Sequence, residues 1–206
     1  MRIRELNKRQ VEMWYKKELV TTFVEQERKP LEVILKLIEQ EEYEVLGVFQ
    51  LDESQELFNE ENMVGYATIA KNKGVNLLLL DYLGVTKRYR NKGVGGKILG
   101  MLKEYYNEIP IVLESELPME GGALEENHIR ERRINFYKRN DFIPVYEMAT
   151  CGLRWQALIG GTKDVINLIN IEDIMKLHKE LYSENRYDVV IPLGKDEEPP
   201  KSCWAK

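Results

Sequence analysis

The sequence predicts an α/β fold with a mixed sheet, and three observations carry that prediction. An apolar strand, a basic glycine-containing loop and an amphipathic helix follow one another from Val75 to Tyr106. Along most of the chain, stretches rich in β-competent residues alternate with stretches of helical period. At 206 residues and 43% hydrophobic content, the chain can bury a core of its own as one domain, with room for an extension.

Met1 to Glu5 alternates as a first strand. Val11, Trp14, Tyr15, Leu19 and Phe23 then mark one face of a helix. Leu31, Ile34, Leu35 and Ile38 mark the face of a second, opened by Pro30, whose fixed φ suits the first helical position. Tyr43 to Leu51 and Met63 to Ala70 read as strands joined by the polar loop Asp52 to Asn62. A further strand follows the turn at Gly74 and ends at Val85, and Ile98, Leu99, Leu102, Tyr105 and Tyr106 recur at helical spacing after it. Ile111 to Glu114 is a short strand, Tyr137 lies on a helix, and Ile143 to Thr150 and Leu153 to Ile159 are the last strands. The order is therefore β-α-α-β-β-β-α-β-α-β-β, a single domain over residues 1–160 with no internal repeat.

Residues 161–193 read as a helical extension. Ile171, Ile174, Met175, His178 and Leu181 or Tyr182 form a stripe that would pack on the sheet or on the second subunit of a homodimer. On that mainly apolar face His178 reads as a packed, hydrogen-bonded residue. Residues 194–206 mix charge with Pro199-Pro200 and read as a mobile tail that Trp204 could anchor.

A net charge of -5 and a pI near 5.4 argue against a general nucleic-acid binder. Cys151, Cys203, His128 and His178 have no metal-ligand spacing, so no metal site is expected. Charge from Arg2 onward, and no apolar run approaching the ~20 residues of a membrane span, lead us to expect a soluble protein of the reducing cytoplasm, without a membrane partner.

The most informative stretch is Arg90-Asn91-Lys92-Gly93-Val94-Gly95-Gly96-Lys97, set between strand and helix. A helix's first turn has unpaired N–H groups and about half a positive charge, so an anion gains both hydrogen bonds and field there. A P-loop, Gly-x-x-x-x-Gly-Lys-Ser/Thr, is excluded: its first glycine falls on Asn91, and Ile98 replaces its hydroxyl. The dinucleotide fingerprint Gly-x-Gly-x-x-Gly, started at Gly93, also ends on Ile98.

What remains is Arg90-x-x-Gly93-x-Gly95, with Leu83-Gly84-Val85 before it and an amphipathic helix after it. Here the chain resembles the GCN5-related N-acetyltransferase (GNAT) family, whose acetyl-CoA pyrophosphate loop is Arg/Gln-x-x-Gly-x-Gly/Ala between a strand and a helix. Arg133-Ile134-Asn135-Phe136-Tyr137-Lys138-Arg139-Asn140-Asp141-Phe142 similarly resembles the family's helix that ends in an aromatic-Tyr pair before Gly-Phe.

The resemblance implies the GNAT fold and transfer of an acetyl group from acetyl-CoA, as cosubstrate, to a primary amine of a small molecule or peptide. It implies that Arg90, Asn91, Lys92, Gly93, Val94, Gly95, Gly96 and Lys97 receive the pyrophosphate, with Arg90 supplying charge at its edge. Leu83 and Val85 would line the pantetheine arm through their backbone, and Tyr137 would protonate the departing thiolate. The family's strand glutamate, six residues ahead of Val85, is replaced by Leu79. Glu114, acting through water, is therefore the candidate base, with Asp81 in reserve. Arg130 stands where the family often has a CoA-contacting asparagine, and Asp141 where it has glycine. Glu114, Glu116, Glu120, Glu125 and Glu126 make an acidic region suited to a cationic amine, although Arg130, Arg132 and Arg133 could neutralise it. The alternative implied by Leu79 is a non-catalytic acyl-CoA-binding sensor or interaction module.

Overall fold

The computed structural model describes residues 1–50, 62–107, 109–182 and 186–202, apart from the side chain of Gln26. The chain divides into two compact units, Met1–Lys71 with Leu80–Tyr105, and Asn72–Leu79 with Tyr106–Lys206. Among the described residues, no helix is long and apolar enough to cross a membrane.

In the first unit β1 (Arg2–Glu5) leads into α1 (Lys8–Trp14), whose start is a reciprocal cap. The Asn7 side chain accepts from the Gln10 N–H, and the Gln10 side chain accepts from the Asn7 N–H. The helix continues through a π-helical turn, Tyr15–Leu19, into α2 (Val20–Thr22), burying Val11, Trp14 and Leu19. Phe23 of the expected stripe lies just past the helix, extended, with its ring 5.0 Å from that of Tyr82. Pro30 precedes α3 (Leu31–Glu39) as its N-cap, one position earlier than expected, and Ile34 is fully buried.

β2 (Tyr43–Phe49) and β3 (Met63–Lys71) pair antiparallel, and β1 runs antiparallel along β2's other edge. β2 stops at Phe49, short of the expected Leu51; residues 51–61, which include most of the expected polar loop, lie outside the described ones. β4 (Leu78–Val85) lies beside β3 from Leu80 onward. It starts three residues after the expected Val75: the chain bends through Val75 and Asn76, and pairing begins where the Leu78 N–H donates to the Pro110 carbonyl at 3.1 Å. Gly65 on β3 admits the Gly84 carbonyl, which a Cβ would meet at 2.6 Å. α4 (Val94–Tyr105) then buries Ile98, Leu99 and Leu102 completely.

The second unit holds β5 (Ile111–Glu116), α5 (Leu124–Arg139), β6 (Phe142–Thr150) and β7 (Leu153–Gly160). Its strands lie in the order β5-β7-β6, with both pairings antiparallel. β6 carries a bulge: Pro144 pairs with Leu158 and Tyr146 with Ala157, leaving Val145 as the extra residue. Proline, which cannot donate to a ladder, is admitted at such a place. α5 buries only Ile134 and Tyr137 of its 16 residues, consistent with its charged composition.

After the short α6 (Lys163–Ile166), α7 (Ile171–Leu181) buries Ile174, Leu177 and His178, while Ile171 is exposed. The segment beyond it returns to β6: Val190 and Ala149 exchange backbone hydrogen bonds at 3.0 Å, and the Leu193 N–H donates to the Glu147 carbonyl at 2.7 Å. Fully buried Asp188 accepts from the Cys151 N–H and pairs with Arg186. At the start of the expected tail, Arg154 donates to the Gly194 carbonyl; Cys203 and Trp204 lie outside the described residues.

Candidate active site

The first group of candidate residues belongs to the first unit. β4 alternates there so that Gly84 is buried while Leu83 and Val85 on the other face are partly exposed. Thr86 follows the strand, donating to the Val64 carbonyl from its N–H, and Lys87–Tyr89 form one 3-10 turn before the glycine loop. Arg90 folds back over this corner: its Nε donates to the Val85 carbonyl at 3.0 Å and its Nη2 to Thr22 Oγ1 at 3.4 Å. It thus pins the mouth of the loop as well as adding charge to it.

Asn91 (φ 61°) and Gly93 (φ 73°) are both left-handed. Glycine enters that region freely and asparagine more readily than other residues, and such alternation gathers successive backbone N–H groups into an anion-binding concavity. A Cβ at Gly93 would meet nothing within 4 Å, so its backbone angle, not crowding, calls for glycine. Gly95 and Gly96 fall in the first turn of α4, where N–H groups lack helical partners, and Lys92 and Lys97 are exposed beside them. Sequence reasoning missed Tyr89. Its ring has the Arg88 guanidinium 4.7 Å and the Lys92 ammonium 5.8 Å from its centroid, so two neighbouring cations lie against it.

Asp81 is already engaged. Lys29 Nζ lies 2.7 Å from its Oδ2, and fully buried Tyr43 donates to the same oxygen at 2.5 Å. Tyr43 is pushed well up by burial and then by the Asp81 charge, so it remains a donor. Lys29 was not singled out in the sequence, because its partner stands 52 residues away.

The second group belongs to the second unit. Tyr137 is buried on α5, its ring 5.2 Å from Phe136 and 6.0 Å from Phe142. Burial raises its hydroxyl above the ordinary value of 10.0, against a smaller lowering by Arg133, so the proton is retained at neutral pH. Asp141 takes the left-handed conformation (φ 61°) expected of the family's glycine. Arg130, on the asparagine position, pairs with Glu116 at 2.8 Å, both side chains only 12% exposed, and its Nη2 lies 3.9 Å from Glu126. Part of the acidic region is therefore neutralised from within.

Glu114, on β5, accepts from the Tyr182 hydroxyl at 2.7 Å and lies 3.2 Å from Nε2 of the fully buried His178. The helical stripe predicted that His178 would be packed; its partners on β5 and β6 come from distant sequence.

An acidic α/β chain with a left-handed, glycine-bearing basic loop at the head of a helix is the kind of protein that holds a phosphorylated carrier such as an acyl-CoA. The chain belongs to the acetyltransferase (GNAT) family, a family of acyltransferases, whose model matches residues 10–142. Over 67 residues it is 37% identical to YjbC of Bacillus subtilis (strain 168), a protein named for an inferred acetyltransferase activity; the match covers 32% of this chain and 31% of that one. Among solved structures it is similar to a protein from Bacteroides thetaiotaomicron assigned to the same family, with a TM-score of 0.65, 22% identity, and coverage of 88% of this chain and 98% of that one. A chimera of the spermidine N-acetyltransferase SpeG from Vibrio cholerae with hSSAT has a TM-score of 0.57 at 11% identity, over 81% of this chain and 99% of its own. An aminoglycoside 6'-N-acetyltransferase complexed with coenzyme A has a TM-score of 0.52 at 14% identity, over 78% of this chain and 96% of its own. At these identities the structural likeness is one of fold.

Proposed function

We propose that the protein is an N-acetyltransferase that moves the acetyl group of acetyl-CoA directly to a primary amine of a small molecule or peptide in the cytoplasm. The observation that carries this is the loop at the head of α4, where left-handed Asn91 and Gly93 precede the free N–H groups of the helix. The backbone of Lys92 through Lys97 takes the pyrophosphate. Leu83 and Val85 offer strand backbone to the pantetheine arm and the thioester.

Tyr137, kept protonated by burial, gives its proton to the CoA thiolate as it leaves. Glu114 supports removal of the amine's proton, a role that Leu79 cannot perform and that Asp81, paired with Lys29, is poorly placed to perform. Exposed Glu120 and Glu125 favour a cationic acceptor, in keeping with the spermidine and aminoglycoside enzymes that share the fold. Release of free thiol from acetyl-CoA in a panel of polyamines, aminoglycosides, amino acids and peptides tests this; we expect amine-dependent release with at least one class.

Leu79 also supports a second reading, in which the chain is an acyl-CoA-binding sensor or interaction module without chemistry. Tight acetyl-CoA binding with no thiol release across the panel would favour it.

A further inference from the structure

In the first unit, one corner beside the end of β4 holds two polar groups that the fold leaves without partners. Trp14, Glu18 and Thr22 stand four residues apart along α1, the π-helical turn and α2, so they fall on one side of that helical segment. Single π-helical turns are often found at functional sites. Trp14 packs edge-on against fully buried Tyr66 of β3, with ring centroids 5.5 Å apart. The Tyr66 hydroxyl reaches over Gly84 of β4, where a Cβ would stand 2.4 Å from its Oη, so the glycine admits it. Arg90 closes the corner, donating to the Val85 carbonyl at 3.0 Å and to Thr22 Oγ1 at 3.4 Å. All of these residues belong to the first unit.

Tyr66 Oη is buried and makes no hydrogen bond among the described residues, although Thr22 stands near it. The Glu18 carboxylate is half-buried and likewise has no hydrogen bond or ion pair among the described residues. Burial raises it above the ordinary value of 4.5, against smaller lowering by Arg90 and Lys17. Glu18 and Arg90 both act electrostatically on the Tyr66 hydroxyl, so carboxylate, phenol and guanidinium lie close together. Burial pushes that phenol up to about 12, and it stays a hydroxyl. A carboxylate drawn out of water with no paired cation is costly, and a bound cation relieves the cost. A water molecule could satisfy the phenol but not the charge. An ammonium group carries three N–H donors, and Glu18, Tyr66 and Thr22 offer three oxygens to take them.

We propose that Glu18, with Tyr66 and Thr22, is a subsite for a second, non-reacting ammonium group of the acceptor, which makes diamines and longer polyamines the substrate class. The subsite rests on the acetyl transfer proposed above, in which the backbone of Val85 meets the thioester. A nitrogen held by Glu18 as ammonium has no lone pair with which to attack, so it is not the one acetylated. A single guanidinium spans from Thr22 to the Val85 carbonyl, which puts the subsite within reach of a second amine on a short methylene chain. Glu18 is then a specificity residue that touches the acceptor and leaves the proton transfers to other groups.

The test compares putrescine, a four-carbon diamine, with butylamine, which lacks the second nitrogen, by thiol release from acetyl-CoA with the full chain. Wild type should favour putrescine at least about tenfold in kcat/KM, the factor that one charge-assisted hydrogen bond supplies. Glu18→Gln keeps size and hydrogen bonding but not charge. It should bring the two amines within about twofold of each other, through KM for putrescine and not kcat, with KM for acetyl-CoA unchanged. Tyr66→Phe should lower the preference about threefold. No preference in wild type, or a preference that survives in Glu18→Gln, would overturn the subsite, and thiol release with other amines would then leave the acetyl transfer standing. If wild type releases thiol with no amine, the acetyl transfer falls and calorimetry with putrescine decides the subsite. Binding that is lost in Glu18→Gln upholds it; no binding to wild type, or equal binding to both, overturns it.

Discussion

Gly93 and Asn91 are where single residues decide most about the loop at the head of α4. Both are left-handed, and a β-branched residue at Gly93 would carry a conformational cost of about 1–2 kcal/mol before any ligand is bound. Gly95→Val adds a branched side chain in the first turn of α4. It should weaken acetyl-CoA binding by about 2 kcal/mol or more, because several N–H contacts to a charged group are disturbed together. Titration calorimetry reads this directly, and unchanged affinity would remove the loop from the carrier site. Tyr137→Phe should lower turnover about 100-fold with acetyl-CoA affinity preserved. Since burial raises the Tyr137 hydroxyl above 10.0, the wild-type profile should show no descent due to this residue below pH 10. The form of the loop was legible in the sequence because it is local: glycines and cations within eight positions, between a strand and a helix. Lys29 beside Asp81 was not, because nothing near either residue in the chain marks its partner, whereas Arg130 beside Glu116 is the neutralisation that the sequence left open.

At the scale of elements, periodicity named nearly every strand and helix, and the misplacements share a cause. β2 and β4 are shorter than their apolar runs, since a run of apolar residues fixes burial but not where hydrogen-bonded pairing stops. The π-helical turn at Tyr15–Leu19 and the bulge at Val145 leave no composition signal, although Pro144 in an otherwise strand-like segment is a hint of irregularity. In the α7 stripe Ile174 and His178 are buried as read, but Ile171 is exposed, Leu177 is buried without having been read, and nothing in the stripe showed that its histidine would sit between a carboxylate and a phenol.

The lowered pKa of His178 couples α7 to pH. The unfolded chain binds a proton near 6.5 and the folded one only near 4, so the stabilisation is complete above 6.5 and is lost as pH falls toward 4. Its full extent is of the order of 3 kcal/mol, reduced by whatever Glu114 contributes in the opposite sense. Denaturant unfolding between pH 7 and 4 should therefore show a steeper loss in wild type than in His178→Gln. Equal slopes would mean that the imidazole is no harder to protonate when folded.

For the whole molecule, the family match covers residues 10–142, while β7, α7 and the rest of the chain lie beyond it. The sequence marks the common fold through motifs that any acyl-CoA carrier site needs. It says much less about the acceptor, because acceptor recognition draws on side chains brought together by topology. The central claim is direct transfer of acetyl from carrier to amine, and one measurement bears on it most closely. In a single turnover with enzyme in excess over acetyl-CoA and a saturating amine from the panel, free CoA and acetylated amine should appear together in equal amounts by mass spectrometry, with the protein's own mass unchanged throughout. Thiol released without acetylated amine, or an acetyl group accumulating on the protein before it reaches the amine, would contradict the account.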